Sequence, residues 1–152
     1  MLAHAAMTDA PSEEEVQAWA RLIRSSQALL GALESAFKAA DLPPLVWYDV
    51  LLELERAGEA GLRPFELVEE MLLAQYNLSR LLARMEQAAV LERLDCPDDG
   101  RGQVVRITKQ GRALQRRMWR VYGPAITRLL GAKLKPTEQQ QLAKLLGKLL
   151  PA

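Results

Sequence analysis

Two short runs, Leu91-Glu-Arg-Leu-Asp95 and Gln103-Val-Val-Arg-Ile-Thr108, break the period of a chain that is otherwise patterned for helices. Between them lies Pro97-Asp-Asp-Gly-Arg-Gly102, in which glycine supplies positive φ and aspartate bonds the local backbone. The runs and the turn predict a β-hairpin, with Arg101 as the one long cationic side chain near its tip. A single hairpin leaves the rest of the core to helices, so the expected fold class is mainly α with a small β-hairpin.

The helices are legible from their stripes. Val16, Trp19, Ile23, Leu30, Leu33 and Phe37 fall at three-and-four spacing over Glu13 to Ala39, and Ser12 with Glu15 forms a capping-box start. Asp41-Leu-Pro-Pro44 breaks this helix, and a second is expected from about Leu45 to Arg56, turning Val46, Val50, Leu51 and Leu54 inward. Gly58 and Gly61 end it, Leu62-Arg63 makes an extended link, and Pro64 opens a short third helix to about Glu70. A fourth is expected from about Ala74 to Ala88. Its inward residues are Leu78, Leu81, Leu82 and Met85, which leaves Gln75, Tyr76, Asn77, Ser79, Arg80 and Arg84 outside, a face rich in hydrogen-bonding groups. After the hairpin, Thr108 caps a long helix with Leu114, Met118, Val121, Ala125 and Leu129 on one stripe, bent midway at Gly123-Pro124. The last helix is expected over Thr137 to Leu150.

With 152 residues and 49% hydrophobic content, the chain can build the core of one domain. Its apolar runs fall far short of the roughly 20 residues that span a bilayer, and its start, MLAHAAMTDAPSEEE, lacks a basic region and turns acidic. One cysteine, Cys96, and one histidine, His4, exclude an internal disulfide and a Cys-rich zinc site. No membrane association and no cofactor are expected, and a reducing cytoplasm fits. The net charge of +1 conceals an asymmetry. Residues 1–99 carry 8 Lys+Arg against 18 Asp+Glu, a net of −10, whereas residues 100–152 carry 12 against 1, a net of +11. The basic half suggests an anionic partner; the alternative is that acidic and basic helices neutralise each other within the fold or across a dimer.

The first helix and the last two are too apolar on one side to stand alone, so they are expected to bury their stripes against a second copy, as a homodimer. Packing within one chain is the alternative. Three helices followed by a hairpin with a basic tip make a winged helix-turn-helix layout. The expected organisation is one domain over 1–152, with a DNA-binding lobe at 43–108 and dimerisation helices at 12–40 and 109–152.

Two local signatures sharpen this layout: Asn77-Leu-Ser-Arg-Leu-Leu82 in the fourth helix, and Asp99-Gly-Arg-Gly-Gln-Val-Val-Arg-Ile-Thr-Lys-Gln-Gly111 in the hairpin. Here the sequence resembles the MarR family of bacterial transcriptional regulators, over nearly the whole chain. The resemblance implies that Ser79 and Arg80 lie on a recognition helix in the major groove of double-stranded DNA and that Arg101 enters the adjacent minor groove. Gln75, Tyr76, Asn77 and Arg84 are the next candidates for contacts to bases or phosphates. The chain departs from the family pattern at Met71-Leu-Leu-Ala74, where a small residue and a polar cap are usual, and at Tyr76, where a small hydroxyl residue is usual. The resemblance further implies a repressor on a pseudo-palindromic operator, released by a small aromatic or anionic effector. Trp19, Trp47, Tyr48 and Arg56 are the candidate effector residues.

Other chemistry is weakly supported. Ser35-Ala-Phe-Lys38 matches S-x-x-K, but Phe37 marks it as part of an amphipathic helix, and no phosphate-loop or zinc-protease motif is present. An enzyme is not expected. Cys96 sits among Asp95, Asp98 and Asp99, surroundings that do not activate a thiol. The rival reading is a winged-helix module that binds an acidic protein and reads no DNA.

Overall fold

The computed structural model describes residues 9–72, 77–96 and 102–151. The chain divides into two compact units, Met1–Ala32 and Leu33–Ala152, and α1 (Glu13–Ala39) contributes residues to both. In the first unit the expected capping box is present. The Ser12 amide donates to the Glu15 carboxylate at 2.7 Å and the Glu15 amide to Ser12 Oγ at 3.1 Å, which satisfies two of the unpaired donors at a helix start. Val16, Trp19, Ile23 and Leu30 of this unit are all exposed.

In the second unit the elements after α1 are α2 (Leu45–Ala57), α3 (Pro64–Glu70), α4 (Leu78–Gln87), β1 (Leu91–Asp95), β2 (Gln103–Ile107), α5 (Lys109–Ile126) and α6 (Pro136–Gly147). Short 3₁₀ and π turns follow α2 and α5, at Gly58–Ala60 and Thr127–Gly131. The π turn comes immediately after the helix interior that holds Pro124, the position expected to bend.

One core joins these elements. Val50, Leu51 and Leu54 from α2, Leu67 from α3, Leu81, Leu82 and Met85 from α4, Leu91, Val105 and Ile107 from the strands, and Met118 from α5 are buried together. Burial of each such side chain contributes roughly 1.5–3 kcal/mol, and those of α2, α4 and α5 sit on the stripes their helical period assigns. α3 starts on Pro64, whose missing N–H costs nothing at a first turn. The strands pair antiparallel, from Leu91 with Ile107 to Asp95 with Gln103.

α4 is described from Leu78, where Asn77 caps it: its side-chain oxygen accepts the Arg80 amide at 3.3 Å. The expected start at Ala74 lies outside the described residues. One boundary differs from expectation. α6 begins at Pro136 and ends at Gly147, so Thr137 lies inside its first turn instead of capping it. The Lys135 amide is satisfied from within the helix by the Glu138 carboxylate at 2.9 Å. α6 has no buried residue, and Leu145, Leu149 and Leu150 are exposed. Among the described residues no helix is long and apolar enough to cross a membrane.

Candidate functional site

The outward face of α4 is where the sequence-derived residues gather. Leu81, Leu82 and Met85 are buried, and the opposite face exposes Ser79, Arg80 and Arg84. The other described arginines between Leu45 and Thr108 are held by carboxylates. Arg56 bonds Glu53 at 3.0 Å, Arg63 lies 4.0 Å from Glu66, Arg93 lies 3.7 Å from Glu86, and Arg106 bonds both Glu92 and Glu59. Arg80 and Arg84 have no such partner among the described residues, so two guanidinium groups on one helix face keep their donors free for an anion. Asn77 lies at the start of this face, with its oxygen committed to the cap and its amide nitrogen turned to no described protein partner. The remaining candidates Gln75, Tyr76 and Arg101, with the turn residues Pro97 to Gly100, lie outside the described residues.

The hairpin beside α4 is fixed at several points. The Val90 amide donates to the Met85 carbonyl at 3.1 Å, which leads the chain directly from α4 into β1. Leu62, read from sequence only as an extended link, forms a third, one-residue rung: its amide donates to the Val105 carbonyl at 2.9 Å and the Val105 amide donates back at 2.7 Å. Gly61 makes this approach geometrically feasible, with φ at +66° and an added Cβ placed 2.5 Å from the Val105 carbonyl oxygen. Arg106 of β2 donates from Nε and Nη2 to Glu92 of β1 and from Nη1 to Glu59 after α2, at 3.0 Å for the last. The Glu92 carboxylate is the main reason the Arg106 pKa is raised above its usual value. At the far end Thr108 accepts the Gly111 amide at 3.0 Å and donates to the Ala89 carbonyl at 2.6 Å, which starts α5 against the end of α4. A side chain at Gly111 would collide with the Val90 carbonyl, which explains the glycine three residues after the capping threonine.

A second feature lies between α2 and α5. Tyr48 and Trp119 stack with ring centroids 6.0 Å apart, and Tyr122 meets them edge-on at 5.0 and 5.7 Å. Tyr48, Gln115, Arg116, Trp119 and Arg120 line an open cleft of about 430 Å³. Burial raises the Tyr48 pKa above its usual value, with the Gln115 side chain and the Arg56 charge opposing it in part. Burial also raises that of Tyr122, reinforced by Tyr48 and by the Asp49 carboxylate. Of the four effector candidates, Tyr48 lines this cleft and Arg56 acts on it through its charge. Trp47 is partly buried against the core, and Trp19 belongs to the other compact unit. Sequence reasoning did not single out Trp119, Arg116 or Arg120, because nothing in their own spacing points to Tyr48, about seventy positions earlier.

The sequence model of the MarR family matches residues 40–102, from just before α2 to the residue before β2. Solved MarR-family structures extend the likeness to most of the chain. Sco3205 from Streptomyces coelicolor, a MarR family transcriptional regulator in complex with DNA, superposes with a TM-score of 0.84 at 26% identity, covering 94% of this chain and 92% of that one. A MarR variant from E. coli complexed with operator DNA gives a TM-score of 0.77 at 27% identity, covering 93% of this chain and 100% of that one. A MarR-like transcription regulator from Bacillus cereus, at 20% identity, shares the fold with a TM-score of 0.79 over 90% of this chain and 96% of that one. No curated protein matches the sequence. The fold is therefore that of the MarR-family transcriptional regulators, mainly helical with a two-stranded wing.

Proposed function

We propose that the chain is a sequence-specific double-stranded DNA-binding transcriptional regulator that acts as a homodimer. The observation that carries this reading is the outer face of α4, where Arg80 and Arg84 stay unpaired while the lobe's other described arginines are neutralised. Free guanidinium groups beside Ser79 on a helix are the donors that base edges and phosphates require. Two of the solved relatives are DNA complexes, which supports α4 as the recognition helix. Arg101, in the sequence between β1 and β2, is proposed for the minor groove.

The homodimer is supported by apolar surface that each unit leaves open. Leu145, Leu149 and Leu150 are exposed at one end of the second unit, as are Val16 and Trp19 in the first. Contiguous apolar stripes on terminal helices are the material of obligate interfaces. The two-fold axis of such a dimer sets two half-sites about one helical turn apart. The dimerisation segments are 12–40 and 109–152, and the DNA-reading lobe is 43–108.

The regulator is a repressor released by a small aromatic anion. The cleft supports that class, since the Tyr48–Trp119 pair offers an aromatic wall and Arg116 and Arg120 offer cationic donors. Ligand binding there favours a lobe separation that no longer matches the groove spacing.

Selection of bound fragments from random duplex DNA tests the main claim, and the expected product is a pseudo-palindrome. A titration over several salt concentrations completes the test: DNA binding weakens steeply as salt rises. An absent or salt-independent response would instead indicate a module that binds an acidic protein.

A further inference from the structure

Tyr48 and Asp49 are neighbours on α2 and face two different parts of the lobe. Tyr48 belongs to the cleft, stacked on Trp119 and edge-on to Tyr122. Asp49 is only 5% exposed, and its Oδ1 accepts the Leu72 amide at 3.0 Å. Leu72 follows α3, five residues before the cap of α4, so this bond spans 23 positions to anchor the backbone just after α3. The Leu72 side chain is 77% exposed, which means its own packing does little to hold that backbone. Tyr122 connects the two sides: its ring contacts Tyr48, and its hydroxyl lies within the field of the Asp49 carboxylate.

We propose that Asp49 is a positioning residue that ties the aromatic cleft to the backbone at Leu72, after α3 and ahead of the recognition helix in sequence, so that the state of the Tyr48–Trp119 stack sets how firmly that end of the helix-turn-helix is held. The inference rests on the DNA-binding reading above for its consequence, though not for its geometry. α2 is a rigid lever here, because Val50, Leu51 and Leu54 lock it into the core. A shift of this end of α2 that accommodates a displaced Tyr48 ring therefore carries the Asp49 carboxylate with it. A charge-assisted bond to an amide is short and directional, so a small shift weakens it. Contacts with phosphate tolerate a loosened helix, whereas base readout does not.

The test combines amide hydrogen exchange at Leu72 with affinities for a selected duplex and for a scrambled duplex of the same length. In the wild type the Leu72 amide should exchange at least about tenfold more slowly than an unbonded amide, since the bond must open before exchange. Trp119→Ala, which removes one half of the stack, should change that protection several-fold. Asp49→Ala should abolish the protection and lower the ratio of selected to scrambled affinity about tenfold, with scrambled affinity unchanged. Asp49→Asn keeps an acceptor oxygen and should recover most of both. A merely structural carboxylate would lower both affinities in parallel, and that outcome overturns the proposal. An unprotected Leu72 amide in the wild type, or protection indifferent to Trp119→Ala, overturns it too. These exchange measurements decide the matter even if Asp49→Ala does not fold. If the wild type prefers no duplex, the DNA-binding reading fails while the exchange arm still tests the tie.

Discussion

Gly61→Ala should destabilise the lobe much more than the same change at Gly58, three residues earlier, although both glycines occupy similar backbone geometry. Gly58 has φ 63° and ψ −142°, and Gly61 has φ 66° and ψ −174°. An alanine in that region costs about 1–3 kcal/mol in backbone strain at either site. The surroundings separate them. A Cβ at Gly58 meets nothing within 4 Å, whereas at Gly61 it falls 2.5 Å from the Val105 carbonyl oxygen. That carbonyl accepts the Leu62 amide, and the Val105 amide donates back to Leu62. Val105 itself is fully buried, so its backbone groups have no easy recourse to water. Separation of the two segments forfeits both bonds, each contributing about 0.5–1.5 kcal/mol. Gly61→Ala should therefore cost about 2–6 kcal/mol, exceeding Gly58→Ala by about 1–3 kcal/mol. Urea denaturation followed by circular dichroism measures both values, and an unchanged slope would show that only stability differs. Equal losses at the two positions would refute the account of the Leu62 rung. Gly61→Ala should also loosen β2, and with it the operator affinity, at temperatures where the helices remain folded.

Arg80→Ala should weaken binding to the selected duplex by about 1–3 kcal/mol through loss of a two-pronged base or phosphate contact, and a fluorescence titration that finds no change would remove Arg80 from the interface. Asn77→Ala should cost about 1 kcal/mol through loss of the α4 cap, and Asn77→Asp should largely preserve it; thermal melts of the two variants give the comparison. Stability should hold from neutral pH until about pH 10 and then fall. The hydroxyls of buried Tyr48 and partly buried Tyr122 have raised pKa values, so the folded state retains protons that the unfolded state has already released. Their contribution is complete below the ordinary tyrosine pKa and is lost as pH climbs through the folded values. Tyr48→Phe should reduce this alkaline loss, and a profile identical to that of the wild type would show that Tyr48 contributes nothing to it.

Periodicity carried most of the fold. α1 and α3 have the boundaries the stripes and prolines indicate, and Ser12 and Thr108 cap as their positions suggest. These features depend on residues within four positions of one another, so a linear pattern reports them well. The corrections occur where two signals compete at short range. The cap-like Thr137 marks a start for α6, but Pro136 opens the helix one residue earlier and leaves the threonine inside the first turn. The Leu62 rung and the cleft left no local pattern, because each is made by contact between distant segments. Even there a partial signal existed. Gly61 before an extended dipeptide marks a close backbone approach, although nothing in it names Val105 as the neighbour.

The charge asymmetry resolves the same way, into two populations that the count alone merges. Arg106 and Arg112, from the basic part of the chain, are bonded to Glu59, Glu92 and Glu55 from the acidic part, so some of the opposition is internal neutralisation. Those pairs connect β2 and the start of α5 to β1, α2 and the turn after α2, and they are about rigidity rather than an anionic partner. Arg116 and Arg120 are exposed, without a carboxylate partner among the described residues, and they open onto the cleft. The arginines with free donors on α4 lie in the acidic part, where a sum over residues hides them. Net charge by segment thus pointed to an anionic partner, but which arginine is free to meet one depends on the carboxylates that the fold brings to its neighbours. Arg80 and Arg84 on the outer face of α4, and Arg116 and Arg120 at the cleft, are among the groups it leaves available to an anion.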